Sequence, residues 1–567
     1  MKPRVGQTLA CLLAAAFLYA AFLVGASWSD AYLSVYGNFL LSRGELALKL
    51  HLLVFILPAI LLLATAMAEI RGDRLAPRFD ALQRPPGRLA TTALALVVFG
   101  LVMVVRVYVL RHSVITDDEN VYHFQAQLLA SGRLYADSPP EPIRPFFDNQ
   151  FVVNNGRWYG VYFLGHPAIL AAFMKVGLVE WAGAVEAALT LLLAVGIARR
   201  VFGNRAALLS GILLAVSPFF IFVSATHLSQ PTSMLFLALF VYASLRIEDA
   251  PQETRWWVVA AATLVGAVFT RPQSGVLLSL PFWARIAYLV IRGEIRPRWR
   301  SALAALVVLL AGAIAFLGVN HALNGSAFQT GYHAYWAQGH KWIFPVGAFY
   351  TIREISQGLM QLNFWLLGWP LSLVFVPFFR RSGRAWALAA VPVIALVWYG
   401  LVAVPSVAAV GPVYYAETIV PLVILTASGL EQGVAFARSR LGESRLAHAV
   451  IIAPVAGVVA SILAFVPFEA ASLRLMANVT QAPYDLVESR GLQNALVFVH
   501  SLPSTSVAPG SWAYYHRNNS PDLSDRVLFV RDLGPEKDKE LIRYLPDRTP
   551  YLMQMQGRDL VLAPLPR

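Results

Sequence analysis

Apolar stretches of about 17 to 23 residues recur from the N-terminus to about position 467, each long enough to cross the hydrocarbon core of a bilayer as one α-helix. This recurrence decides the fold class. Only 14% of the 567 residues are charged and 57% are hydrophobic, whereas soluble domains carry roughly 25% charged residues. A soluble multidomain protein is excluded, and the chain reads as an all-α polytopic membrane protein with about thirteen transmembrane helices. The expected spans lie near 8–27, 47–69, 91–110, 182–198, 206–224, 232–248, 256–270, 274–291, 301–320, 357–378, 385–403, 414–434 and 448–467. The first has no convincing small-residue cleavage site after it and reads as a retained helix, not a signal peptide. Cys11, the one cysteine, rules out a disulfide framework and a Cys-based metal site.

The formal charge of +13 has a definite address. Arg71, Arg74, Arg78, Arg84 and Arg88 fill one short connection. Arg199, Arg200 and Arg205 fill the next of the same set, followed by Arg292, Arg296, Arg298 and Arg300, by Arg380, Arg381 and Arg384, and by Arg438, Arg440 and Arg445. The opposite connections, 226–231 and 405–412, hold no Lys or Arg. By the positive-inside bias the arginine loops are cytoplasmic, so the basic excess reports topology and anionic-lipid contact, with no nucleic-acid partner implied. The expected setting is a bacterial inner membrane, with a cytoplasmic N-terminus and a periplasmic C-terminus. A high Arg-to-Lys ratio adds the bacterial hint.

Every long hydrophilic segment falls on the outer side. Residues 1–467 form the expected membrane region, with outer loops at about 111–181 and 321–356, and 468–567 form a small C-terminal α/β domain. Within that domain Asn494–Val499 and Arg526–Val530 read as strands, Glu536–Tyr544 as an amphipathic helix, and Tyr551–Val561 as two strands around Gly557. The inner loops carry neither G-x-G-x-x-G nor a P-loop, so no nucleotide-driven machine is encoded. The halves show no internal repeat of the kind secondary transporters carry.

The chemistry concentrates after the third helix, in Thr116-Asp117-Asp118-Glu119-Asn120-Val121-Tyr122-His123-Phe124. Acidic residues favour helix N-termini and can cap them, so the triplet has a structural reading as well as a catalytic one. Later in the same loop Trp158, Tyr159, Gly160, Tyr162, Gly165, His166 and Pro167 introduce a second interfacial apolar stretch, Ala168–Val179. Further along come Ala198-Arg199-Arg200-Val201-Phe202-Gly203 at an inner turn, Thr270-Arg271-Pro272 at an outer helix end, and Gly411-Pro412-Val413-Tyr414-Tyr415 before a late helix.

In order and sidedness these features resemble the GT-C superfamily of membrane glycosyltransferases, with the protein O-mannosyltransferase and aminoarabinose transferase families nearest in pattern. The sequence departs from the simplest plan by placing two helices before the one that leads into the acidic motif. The resemblance implies a catalytic carboxylate in the first outer loop, at Asp117, Asp118 and Glu119. It implies glycosyl transfer on the outer face from a polyprenyl-phosphate-linked sugar, a hexose or a pentose, to a glycan, lipid or protein acceptor. Physical reasoning reaches a similar donor: nucleotide sugars are made in the cytoplasm, and a lipid-borne sugar reaches the outer face from within the bilayer.

In this reading Asp118 or Asp117 takes the acceptor proton, and Glu119 positions it or, with Asp118, holds a divalent metal ion. No other cofactor is implied. Direct displacement would invert the anomeric centre. A phosphate leaving group requires cations or hydrogen-bond donors. Arg271 is the first candidate, followed by Arg157, His166, Lys341, Tyr414 and Tyr415. His333, Tyr332 and Trp336 of the second outer loop, with Glu417, are candidates for a sugar or acceptor cavity. Each has a structural alternative: snorkelling for Arg271, an aromatic interface belt for the second loop, and pairing with Arg106 or Arg271 for Glu417. Two other functions fit the same lipid-entry architecture: a flippase for lipid-linked glycans, and a polymerase or ligase using a diphosphate-linked oligosaccharide.

Overall fold

The computed structural model describes residues 5–27, 49–68, 87–339, 347–402, 410–441, 445–502, 516–557 and 559–566. Its helices are α1 Val5–Ser27, α2 Lys49–Ala68, α3 Arg88–Val104, α4 Asp117–Ala130, α5 Gly165–Lys175, α6 Ala182–Val201, α7 Asn204–Ala215, α8 Pro218–Ser224, α9 Gln230–Asp249 and α10 Thr254–Thr270. They continue with α11 Pro272–Ile291, α12 Trp299–Asn324, α13 Gly331–Ala337, α14 Ala348–Trp365, α15 Gly383–Leu401, α16 Ile419–Leu441, α17 Arg445–Ala460, α18 Val466–Ser489 and α19 Pro535–Tyr544. Among the described residues nine helices are long and apolar enough to span a membrane, or ten if the bent pair α7 and α8 forms one span. The chain is a polytopic helical membrane protein. Its lipid-facing surface is plain on α12, where Leu303, Leu306, Leu310 and Ile314 are exposed, a burial pattern that water would penalise and a bilayer does not.

One expected span is corrected. Residues 357–378 do not form a continuous helix: α14 begins at Ala348 and stops at Trp365, and the chain turns before a short 3₁₀ segment, Val376–Phe378. Gly368 has a φ of 72°, the left-handed region that glycine enters without a Cβ penalty, and Pro370 cannot continue a helix. The last apolar span also runs on beyond the bilayer, since Ile452–Ser489 is helical throughout.

The arginine-rich turns meet at one end of the bundle. Arg384 bridges Glu248 and Asp249 at 2.9 and 2.6 Å, Arg285 pairs with Glu248 at 2.7 Å, and Arg200 pairs with Asp249. Arg380 donates to the carbonyl of Phe202 at the end of α6, where a cation complements the helix dipole.

At the opposite end lie two small sheets. Strands β1 Ala136–Asp137, β2 Val152–Asn154 and β3 Arg157–Gly160 form an antiparallel sheet in the order β1-β3-β2 within the first outer loop. Strands β4 Ala495–Val499, β5 Val527–Arg531, β6 Thr549–Gln556 and β7 Asp559–Pro564 form the C-terminal sheet, order β5-β4-β6-β7, with β4 parallel to both neighbours. The two sheets share one core. Phe146, Phe147 and Trp158 of the outer loop pack in the same buried cluster as Leu496, Phe498, Leu528 and Val530 of the C-terminal region, and the rings of Phe146 and Phe498 meet edge-on at 6.1 Å.

Candidate active site

Helix α4 starts where it does because Thr116 and Glu119 form a capping box. Thr116 is extended, its hydroxyl accepts the Glu119 N–H, and the Glu119 carboxylate reaches back to the Thr116 N–H, which satisfies donors that a helix start leaves orphaned. Glu119 does more than cap. It is fully buried; Oε2 accepts the N–H of Ile115 at 2.9 Å and of Thr116 at 3.1 Å, and Oε1 accepts the N–H of His227 at 2.8 Å. Both oxygens are spent on backbone, and the result ties α4 to the loop before α9.

A second layer fixes the same loop. The Arg106 side chain, 2% exposed, donates to Glu180 Oε2 at 2.7 Å, to the Ser113 carbonyl at 2.8 Å and to the His112 carbonyl at 3.1 Å. Arg106 Nη2 is also 3.3 Å from His227 Nδ1, and His123 Nε2 is 2.6 Å from that same nitrogen. A guanidinium only donates, so His227 Nδ1 is the acceptor and His123 Nε2 carries the proton. Burial, then the Arg106 charge, pushes the His123 imidazole down to about 3, which keeps it neutral.

Asp117 and Asp118 occupy the first turn of α4, just after Thr116, and both are partly buried. Asp118 accepts a hydrogen bond from the Tyr162 hydroxyl. Burial holds its carboxyl above the usual range, opposed by that bond and by the Arg271 charge. Asp117 has no hydrogen-bond partner among the described residues. Burial, with the neighbouring Asp118 charge adding to it, pushes Asp117 up to about 7.

Arg271 lies at the break between α10 and α11. Nε is 2.9 Å from Glu417 Oε1, in an ion pair whose angle falls short of a hydrogen bond. Nη1 donates to Ser229 Oγ at 3.4 Å, Nη2 to Tyr399 Oη at 3.3 Å, and the guanidinium lies over the Tyr414 ring at 5.9 Å. Ser229 Oγ also accepts from Tyr122 Oη at 3.0 Å, which couples Arg271 to α4. The charges of Asp118 and Arg271 both act on the buried Tyr122 and Tyr332. Tyr162, bonded to Asp118, packs on Tyr122 at 4.8 Å, so carboxylate and guanidinium are linked through this tyrosine pair and Ser229.

The other expected residues separate into groups. Tyr332 joins the site, its ring 5.9 Å from that of Tyr162, and Trp336 packs on Tyr332 at 6.2 Å. Tyr415 is buried against Tyr399 at 5.5 Å. Glu417 is the partner of Arg271 and also accepts from Ser233 at 3.0 Å, so of its two expected partners it takes Arg271. His333 is exposed and closes the N-terminal turn of α13 with Thr330. Arg157 donates to the carbonyls of Ala322 and Leu323 at 2.6 and 3.0 Å, capping the C-terminus of α12. His166 is buried between Thr232 Oγ1 at 2.7 Å and the His227 carbonyl at 2.8 Å, and burial pushes it down to about 4. Lys341 lies outside the described residues.

Glu119 gives Oε2 to two backbone N–H groups and Oε1 to a third, and among the described residues no three His, Cys, Asp or Glu side chains converge on one point. Beside Tyr162 a small open cleft of about 20 Å³ is lined by Phe163, Phe269, Phe316, Val319 and Leu323. Phe316 packs against Phe163 at 5.7 Å and Phe269 at 5.4 Å.

The fold defines a polytopic helical membrane protein. The structure is similar to that of ArnT from Cupriavidus metallidurans bound to undecaprenyl phosphate, with a TM-score of 0.50 and 15% identity over 84% of this chain and 97% of that one. The apo form of the same ArnT is similar at a TM-score of 0.51, with 15% identity and the same coverage. Residues 164–319 match the family described as dolichyl-phosphate-mannose-protein mannosyltransferase. No curated protein matches the chain in sequence.

Proposed function

We propose that the protein is a membrane glycosyltransferase that moves a sugar from a polyprenyl-phosphate donor to an acceptor hydroxyl on the periplasmic side of a bacterial inner membrane. One observation carries this reading: Asp118 accepts from Tyr162, whose ring packs at 4.8 Å on Tyr122, and Tyr122 and Arg271 both donate to Ser229 Oγ, so a carboxylate and a braced guanidinium meet through one tyrosine pair. An acid–base group and a phosphate-binding group are the two components such a transfer needs. The matched mannosyltransferase family and the ArnT fold holding undecaprenyl phosphate support the class of donor.

Asp118 is the base in this mechanism. The acceptor oxygen attacks the anomeric carbon and passes its proton to Asp118. The bond from that carbon to the phosphate oxygen breaks, and the phosphate leaves with the electron pair. Arg271, with the hydroxyls of Tyr414 and Tyr399, meets the developing negative charge. The apolar side chains of Phe163, Phe269 and Phe316 beside Tyr162 offer the prenyl chain a surface to run along. In-line displacement inverts the anomeric centre.

Purified full-length protein given a radiolabelled polyprenyl-phosphate sugar and a membrane extract should transfer label to an acceptor. Asp118→Asn should lower that rate by about 10²- to 10⁴-fold. Label that moves between leaflets without covalent transfer, or unimpaired transfer by Asp117→Asn, Asp118→Asn and the double variant, overturns the reading.

A further inference from the structure

Asp117 and Asp118 are adjacent but look onto different parts of the molecule. Asp118 belongs with Tyr162 and Arg271. Asp117 shares its helix face with Asn120, three residues on, and Asn120 is bonded to the C-terminal region. Its Nδ2 donates to the His516 carbonyl at 2.9 Å and its Oδ1 accepts the Asn518 N–H at 2.9 Å. Asn149 of the outer loop donates to the same His516 carbonyl at 2.6 Å and to Asn518 Oδ1 at 3.0 Å.

This double clamp grips the residues on either side of Arg517. The Arg517 N–H donates to Tyr484 Oη at 2.6 Å, its guanidinium lies over the Tyr484 ring at 4.1 Å, and it hydrogen-bonds Gln481 Oε1. Stacking of this kind holds a guanidinium flat while leaving donors free at its edge. Among the described residues no carboxylate pairs with it. Tyr484 lies within electrostatic reach of Asp117, and His123 within reach of Arg517. His516 Nδ1 donates to the Arg517 carbonyl at 2.8 Å, so its Nε2 is an acceptor; among the described residues that acceptor and the buried Asn518 Nδ2 donor have no hydrogen-bond partner, as expected where water or a ligand is received. The catalytic helix is therefore linked to two cations: Arg271, paired with Glu417, and Arg517, which has no carboxylate partner among the described residues.

We infer that the C-terminal region forms the acceptor side of the active site: Asn120 is a positioning residue that docks the 516–518 turn on the catalytic helix, and Arg517 is a specificity-determining residue that donates hydrogen bonds to oxygen atoms of the acceptor. The inference rests on the glycosyl-transfer reading. In an inverting displacement the acceptor and the leaving phosphate need separate binding groups, and Arg517, held by Asn120, Tyr484 and Gln481, shares no hydrogen-bond partner with Arg271, held by Ser229 and Tyr399.

The test compares full-length wild type with Asn120→Ala and Arg517→Ala, using the labelled polyprenyl-phosphate sugar and serial dilutions of the membrane extract. Both variants should raise the extract concentration for half-maximal transfer about tenfold, the equivalent of 1.4 kcal/mol, while the donor concentration for half-maximal transfer stays at the wild-type value. Asn120→Ala should also speed hydrogen exchange at the Asn518 amide, and Arg517→Ala should not. Unchanged extract dependence in both variants, or donor and extract dependence that move together, overturns the inference. Wild-type protein that turns over no donor sinks the glycosyl-transfer reading itself, and the inference with it.

Discussion

Arg271 Nε lies 2.9 Å from Glu417 Oε1, joining the break between α10 and α11 to the turn before α16. The carboxylate is buried and the guanidinium mostly so, which makes the pair a fixed strut more than a source of net stability, because desolvation offsets much of its Coulomb attraction. Its value is orientation. With Glu417, Ser229 and Tyr399 holding three nitrogens, the cation is fixed before any ligand arrives, the preorganisation that the proposed departure of a phosphate calls for.

Removing that cation should act on the transfer step. Arg271→Ala is expected to slow transfer by about 10²- to 10³-fold, the range seen when one preorganised donor is removed. Arg271→Lys keeps the charge but loses the fork that reaches Ser229 and Tyr399 together, and should recover only part of the rate. Glu417→Gln should lower both stability and rate, since it leaves the guanidinium buried without its counter-charge. Rates with labelled donor and thermal unfolding in detergent separate these outcomes. Full activity in Arg271→Ala would remove Arg271 from the phosphate site.

Asp117 predicts a pH dependence of stability. Its folded-state carboxyl is pushed up to about 7, from 3.8, by burial and then by Asp118. Between those two values the folded protein keeps a proton that the unfolded chain has lost. Asp117 therefore favours folding fully below pH 3.8, and that contribution is lost as pH rises through 7. The loss is on the order of 2 to 4 kcal/mol, from about 1.4 kcal/mol per unit. Asp117→Asn should be more stable than wild type at pH 8 and should lose the advantage toward pH 4. Thermal melts of both proteins across this range test it, and parallel curves would show that Asp117 is solvated like an ordinary surface carboxylate.

Glu119 was readable in two ways from the sequence, and the structure separates them. The acidic triplet stands out because its members are contiguous, but contiguity hides their division of labour. Thr116-x-x-Glu119 is a capping-box pattern, visible in the sequence, and it marks Glu119 as structural where the triplet suggested a metal ligand. The apolar spans were legible because helix length and hydropathy are local properties. The span expected at 357–378 failed at Gly368 and Pro370, two local breakers inside an apolar run. The outer sheet was missed because strands of two to four residues carry too little alternation to register. Long-range partners were the least legible. Arg271 was found by its place at a helix end, but Tyr399 and Ser229 had no signal, and Asn120 meets His516 across 396 residues of chain. Arg157 and His166 fit the composition of a phosphate site, yet one caps a helix and the other joins two buried segments.

That division of labour predicts how Glu119 variants behave. Glu119→Gln keeps the shape, but its amide nitrogen cannot accept, so at least one backbone N–H among Ile115, Thr116 and His227 loses its partner. A cost of about 1 to 3 kcal/mol is expected, together with reduced transfer as α4 and the loop before α9 separate. Thr116→Ala, which removes only the reciprocal half of the box, should cost about 1 kcal/mol. The catalytic pH profile should keep its shape in both, because neither group titrates against substrate. A changed profile in Glu119→Gln would return Glu119 to the acid–base chemistry.

Gly165 offers a way to disturb the site without removing any reactive group. It begins α5 directly against the end of α10, and a Cβ built on it would lie 2.4 Å from Thr270 Oγ1, 2.7 Å from the Phe269 carbonyl carbon and 2.7 Å from the Thr270 nitrogen. Two of those three atoms are backbone, so trimming Thr270 would not relieve the clash. The segment that must yield is the one leading into Arg271, while Tyr162 lies just before α5. Gly165→Ala should therefore cost about 1 to 3 kcal/mol of stability and slow transfer by separating Arg271 from Asp118. Thr270→Ala in the Gly165→Ala background should restore little of either. A double variant that regains wild-type melting and transfer would show that the contact is only with the threonine hydroxyl, and that the backbone approach of α5 to α10 does not set the position of Arg271.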